Sequence, residues 1–152
     1  MTSGSRAPGP AETPVYTLCS HDETRTMPHD ATPGRLRALR GATTVEADSS
    51  EAIRARTAEL VERLLERNAL PVDAIVSVVF SATPDLTADF PAVAAREIGL
   101  SGTPLLCCQE IAVAGAVPRC VRVLMHCYLD EGVEPHHVYL HGARQLRLDL
   151  PE

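Results

Sequence analysis

Residues 74–81 read Ala-Ile-Val-Ser-Val-Val-Phe-Ser, apolar at six of eight positions and β-branched at four. A run this short, with so little polar alternation, predicts a strand buried on both faces. Working upstream, Ile53, Leu60, Val61, Leu64 and Leu65 recur at helical spacing, with charges between them. They predict an amphipathic helix that Asn68 and Pro71 end. Asp48 and Glu51 stand at capping-box spacing at its start. Before it, residues 36–43 read as a first strand. Downstream, Pro91 suits the first position of a second helix over residues 91–98, closed by Gly99 and Gly102. Residues 103–109 read as a strand, and a small-residue loop at 112–118 leads into a further strand over 119–129. Residues 137–140 give the last strand, ahead of an Arg-containing C-terminal segment. Strands interleaved with helices predict an α/β (α+β) fold, a mixed sheet with helices on one face. So few helices leave apolar strand surface over, which hints at burial in an oligomer.

The first 34 residues differ. They hold five of the 12 prolines, are rich in Ser, Thr and Gly, and show no apolar periodicity. Such a segment buries too little apolar surface to offset its ordering entropy, so residues 1–34 are expected to form a disordered tail. Within it only Val15-Tyr16-Thr17-Leu18 offers a short strand. Residues 35–152 form the folded domain.

Composition narrows the function. The 152 residues carry a net charge of −6, and all 14 basic residues are Arg. Without lysine there is no Schiff-base or amine nucleophile. The acidic balance and the scarcity of aromatics argue against a nucleic-acid surface. No apolar run approaches the ~20 residues of a spanning helix, and the N-terminus lacks a secretory pattern. Five cysteines with no CxxC pair point to reduced thiols in the cytoplasm. Cys107 and Cys108 lack a Cys/His/Asn signature and read as buried, inert thiols. His137 and His141, four apart in a strand, do not make a metal pair, and no phosphate-binding glycine loop or serine-nucleophile elbow is present.

What remains is arginine on strands. Arg40 and Arg122 lie among apolar residues, where a guanidinium needs an anionic partner. Either each makes a structural ion pair or points outward, or together they form a socket for an anionic ligand, since the arginine fork matches a carboxylate. Glu110, at a strand end before a loop, sits where sites commonly lie.

Six blocks then carry a resemblance. RGATTVEAD (residues 40–48), SATPDL (81–86), FPAVAARE (90–97), CCQE (107–110), RCVRVLM (119–125) and HVYL (137–140) occur in the order and spacing of the AroH-type chorismate mutases. The sequence resembles that family from about residue 35 to residue 150. The resemblance implies a five-stranded mixed sheet, a homotrimeric pseudo-α/β barrel like that of YjgF-type proteins, and active sites between subunits. It implies a cofactor-free, metal-free rearrangement of chorismate to prephenate in aromatic amino acid biosynthesis. By the same resemblance Arg40 grips a substrate carboxylate, Arg122 donates to the ether oxygen, and Glu110 with Cys107 lies near the ring hydroxyl. Tyr139 lines the pocket, Phe90, Ala92 and Arg96 come from the neighbouring subunit, and Leu146 and Arg147 belong to a segment covering the entrance. Val93 stands where a lysine is familiar and Leu106 where a threonine is. A non-catalytic trimeric binder of carboxylates and a YjgF/RidA-like imine hydrolase share the architecture. A structural or regulatory partner of another shikimate-pathway enzyme is a further alternative reading.

Overall fold

The structure, a computed structural model, describes residues 34–149. The expected tail (save Gly34) and the short strand at residues 15–18 lie outside them. Five strands form one sheet: β1 (Arg35–Thr44), β2 (Ile75–Ala82), β3 (Leu105–Gln109), β4 (Cys120–Leu129) and β5 (Val138–Tyr139), in the order β3-β2-β4-β1-β5. β4 runs antiparallel to both β1 and β2, whereas β3 lies parallel to β2 and β5 parallel to β1. The sheet is therefore mixed. Helices α1 (Ser50–Arg67) and α2 (Pro91–Glu97) cover one face. Three 3₁₀ turns, Val72–Ala74, Leu100–Gly102 and His141–Leu146, were not evident in the periodicity.

The core lies between helices and sheet. Leu39, Val78, Phe80, Val121, Val123 and Met125 point into it from the strands, and Ile53, Leu60, Val61 and Leu64 from α1, each at most 3% exposed. Gly41 brings α1 close to β1. A Cβ there would sit 3.0 Å from Leu60 Cδ1 and from the Val138 carbonyl, and 3.1 Å from Leu64 Cδ1. Gly41→Ala is expected to lower stability by about 1–3 kcal/mol through overpacking. A denaturation midpoint equal to wild type would contradict so tight an approach.

Two expectations are corrected. The 74–81 strand is not buried on both faces. Ile75, Val78 and Phe80 are buried while Val76 is exposed and Ser77, Val79 and Ser81 are only half-buried. Both helices pack on one side, so the other side of this chain stays open. The helix cap also differs. Ser49, in an extended conformation, accepts from the Ala52 N–H at 3.2 Å. Asp48 accepts instead from the Thr87 N–H and hydroxyl, both at 2.8 Å, and from the Ala88 N–H at 2.9 Å. Those bonds hold its carboxyl below the ordinary aspartate range. A charged acceptor satisfying three loop donors is worth more here than one satisfying a helix end. It ties the loop before α2 to the start of α1.

Candidate active site

Strand alternation decides which arginines meet. Arg37 pairs with Cys127, while Arg40 pairs with Leu124 and Ala42 with Arg122. Arg40, Ala42, Arg122 and Leu124 therefore share the open face. β5 lies beside β1 there, bringing Tyr139 opposite Ala42. The chain then turns at His141, with φ +50°, and the 3₁₀ turn folds back over the open face. The Gly142 N–H donates to Thr44 Oγ1 at 2.9 Å, and Ala143 packs on Ala42 and Cys120 with Tyr139 and Leu146 beside them. The result is a cavity of about 140 Å³ lined by Arg40, Ala42, Arg122, Tyr139, Leu146 and Arg147.

The charge distribution in this cavity is specific. Arg122 Nε lies 3.1 Å from Glu110 Oε1, an ion pair with its carboxylate 15% exposed. Among the described residues the Nε–H finds no acceptor at hydrogen-bonding geometry, although the atom is buried. The contact is therefore chiefly Coulombic. Ser81, opposite Arg122 across β2 and β4, donates its hydroxyl to the same Oε1 at 2.7 Å and so fixes the carboxylate. Beneath Arg122, burial pushes the Cys120 thiol above its ordinary value, against the opposing pull of the guanidinium. Arg147 forks onto Asp149, with Nε at 2.8 Å and Nη2 at 2.9 Å from the two carboxylate oxygens. That bidentate pair raises the guanidinium's pKa, and the Tyr139 hydroxyl assists.

A second cavity, of about 390 Å³, lies at the opposite edge of the sheet. It is lined by Phe80, Ser81, Leu86, Phe90, Cys107 and Cys108 among others. Phe90 is 68% exposed, Cys108 is exposed and Cys107 half-buried, so the two thiols are not the buried pair expected from sequence. Arg96 stands exposed in the last turn of α2, and Ala92 lies in the core, 5% exposed, lining neither cavity.

The structure thus brings together Arg40, Arg122, Glu110, Tyr139, Leu146 and Arg147. Within this chain Phe90, Cys107, Ala92 and Arg96 do not line the cavity of Arg40, Arg122 and Tyr139, although Cys107 stands on the strand that leads into Glu110. β3 and β1 are three strand spacings apart, ~14 Å by sheet geometry. Sequence reasoning missed Ser81, Asp149 and the role of His137, whose Nδ1 accepts the Arg40 N–H at 3.1 Å. Only Ser81 carried a signal, a hydroxyl at alternate spacing in an otherwise apolar strand.

Comparisons with known proteins identify the family. The family model for chorismate mutase type I matches residues 36–150. Chorismate mutase AroH of Thermus thermophilus is 44% identical over 117 residues, covering 76% of this chain and 96% of that protein. The AroH protein of Bacillus subtilis (strain 168) is 43% identical over 117 residues, covering 76% and 92%. A solved chorismate mutase from Clostridium thermocellum superimposes with a TM-score of 0.70 at 44% identity, covering 72% of this chain and 98% of its own. With a mixed five-stranded sheet, a shared family model over most of its length and relatives this similar, the chain belongs to the type I chorismate mutases.

Proposed function

We propose that this protein rearranges chorismate to prephenate in sites shared between neighbouring copies of a homotrimer. The observation that carries the reading is the Arg122–Glu110 pair, set beside Arg40 and Tyr139 in a cavity whose missing wall has a counterpart at the far sheet edge. The reaction is unimolecular and pericyclic. It needs neither nucleophile nor redox partner, so no cofactor or metal has a part in it. A protein can accelerate it by holding the bent conformer and by stabilising charge that develops on the ether oxygen.

The side chains divide along those lines. Arg40 anchors a carboxylate, with Tyr139 as its neighbour. Arg122 faces the ether oxygen, where negative charge grows as the carbon–oxygen bond breaks. Its misaligned Nε–H is a buried donor lacking an acceptor, the kind of group that gains most when an anion forms beside it. Glu110, held by Ser81, takes the ring hydroxyl and steadies Arg122. Leu146 and Arg147 cover the entrance. Arg147 must exchange Asp149 for substrate, which makes its contribution one of binding.

Shared sites follow from size and surface. About 140 Å³ is smaller than the ~300 Å³ at which ligand pockets begin. On the open face Leu36, Leu106 and Tyr128 are each more than half exposed, and apolar area of that kind marks an interface. A neighbour presenting Phe90, Cys107 and Arg96, with Ala92 beneath them, would close the cavity and cover this face. Val93, where a lysine is familiar, then sits near the pocket and lowers attraction for a dianion, and Leu106 adds an apolar residue, with Arg40 and Arg122 untouched. Thiols of Cys107, Cys108, Cys120 and Cys127 left free support cytoplasmic residence.

Loss of the chorismate absorbance band on adding purified protein tests the reading. Turnover should be nearly constant from pH 7 to 9, because no acid or base takes part. No consumption of chorismate, or a bell-shaped turnover profile with a histidine limb, would show that the reaction is another one.

A further inference from the structure

β5 is only two residues long, yet the arginine that must hold a substrate carboxylate lies one rung before it. Gly41 pairs with Val138 and Ala42 with Tyr139, and the Leu140 N–H donates to the Ala42 carbonyl at 2.9 Å. At Arg40 no strand carbonyl continues the ladder. The His137 ring fills the gap, its Nδ1 accepting the Arg40 N–H at 3.1 Å. An imidazole that accepts through Nδ1 must carry its proton on Nε2 and be neutral.

From this geometry we infer that His137 is a positioning residue for Arg40, a neutral ring that extends the β1–β5 ladder by one rung and holds the carboxylate-binding arginine in register. The inference rests on the proposed chorismate reading for its kinetic consequence, but not for the hydrogen bond.

The surroundings favour the neutral ring. Burial holds the His137 pKa below the usual histidine value, and the cations Arg147 and Arg40 and the neighbouring His136 push the same way. Among the described residues no carboxylate exerts an opposing pull on the ring. Upstream, the segment is pinned by buried Asn68. Its amide donates to the Leu64 and His136 carbonyls at 2.8 and 2.9 Å, and its oxygen accepts the His136 N–H at 2.8 Å. The ring therefore projects from a backbone that is itself fixed. Protonation would turn Nδ1 into a donor facing a donor and add a third cation to the Arg40–Arg147 pair. The ladder rung would be lost.

Three substitutions and one spectrum test this on the full-length protein. His137→Ala removes the acceptor and should raise KM for chorismate about tenfold with kcat changed little, because a carboxylate anchor acts alike on ground and transition states. His137→Asn places an amide oxygen where Nδ1 stood and should restore KM to within about twofold of wild type. His137→Gln, whose oxygen reaches the Nε2 position instead, should behave as His137→Ala. Because the ring's pKa is held below the ordinary histidine value, wild-type KM should stay flat through that value and rise only at lower pH, and the Asn variant should lack that rise. Ring ¹⁵N resonances at neutral pH should show a bare Nδ1 and a protonated Nε2. An unaltered KM in the alanine variant, or an Asn variant no better than alanine, overturns the inference. A protonated Nδ1 overturns it irrespective of any activity, and wild-type protein inert toward chorismate counts only against the function proposed above.

Discussion

Replacing Arg122 with alanine is expected to cut turnover by ~10²–10³ or more, the cost of losing a donor aimed at developing negative charge. KM should change far less. The reason is differential binding: chorismate carries little charge on the ether oxygen, so the interaction strengthens only on the way to the transition state. Charge and hydrogen bonding separate when citrulline replaces Arg122, since the urea keeps the shape and most N–H donors but not the cation. The Coulombic character of the Arg122–Glu110 contact, 3.1 Å apart without an aligned hydrogen bond, makes charge the decisive property. The citrulline enzyme should therefore turn over nearly as poorly as the alanine variant. Full turnover with citrulline in stopped or steady-state assays would mean that hydrogen bonding, not the cation, does the work. Circular dichroism keeps the comparison fair, because Ala42 and Cys120 pack close beside Arg122.

The second large effect concerns the missing wall. Phe90 is mostly exposed at the start of α2, so Phe90→Glu leaves this chain's core untouched. In a shared site it puts a carboxylate against a dianionic substrate. Like charges set together cost several kcal/mol, so kcat/KM should fall at least ~10²-fold. Arg122→Ala and Phe90→Glu proteins, each nearly inactive, are then unfolded together and refolded at equal proportions. Each shared site draws one half from each of two chains, so about one quarter of sites receive two intact halves under cyclic assembly. Recovery of roughly that share of wild-type turnover is the expected result. A mixture as inactive as its components would confine the site to a single chain and remove the basis for shared active sites. Sedimentation of the same samples reports whether three copies assemble.

Both effects depend on the same feature, one covered and one uncovered sheet face. In an isolated sheet of this kind the uncovered face costs stability, and apolar side chains such as Leu106 and Tyr128 left half or more exposed gain by association. The 3₁₀ turn that carries Leu146 and leads into Arg147 is tied to α1 by Glu59, whose carboxylate accepts from or ion-pairs with His141 at 3.0 Å and Arg56 at 2.8 Å. Those two partners hold the Glu59 carboxyl below the ordinary glutamate range, His141 contributing most. The 3₁₀ turn is thus anchored to α1 at its start, while Arg147 beyond it is held by Asp149.

The primary structure by itself determined the two helices and the five strands, because their causes are local, but not the three 3₁₀ turns. Apolar spacing set α1, Pro91 set α2, and the β-branched run at 75–80 set a central strand. The ordered blocks from Arg40 to Leu140 determined the family and named Arg122 and Glu110 as candidate site residues; that the two meet, at 3.1 Å, came from the folded chain. Tertiary structure alone decided which face of that central strand was covered. A run of valines looks alike whether helices or another chain will bury it, and the answer depends on both helices packing on the same side. It decided that Ser49 rather than Asp48 caps α1, because the loop at 87–88 competes for the Asp48 carboxylate with three donors. It decided that Arg40 and Tyr139 share a cavity while Phe90 and Cys107 stand at the other sheet edge, since strand order is a long-range pairing that no local pattern encodes. It also gave His137 its place beneath Arg40, 97 residues away in sequence: a single ring nitrogen supplies a rung only where two distant strands have already been set side by side.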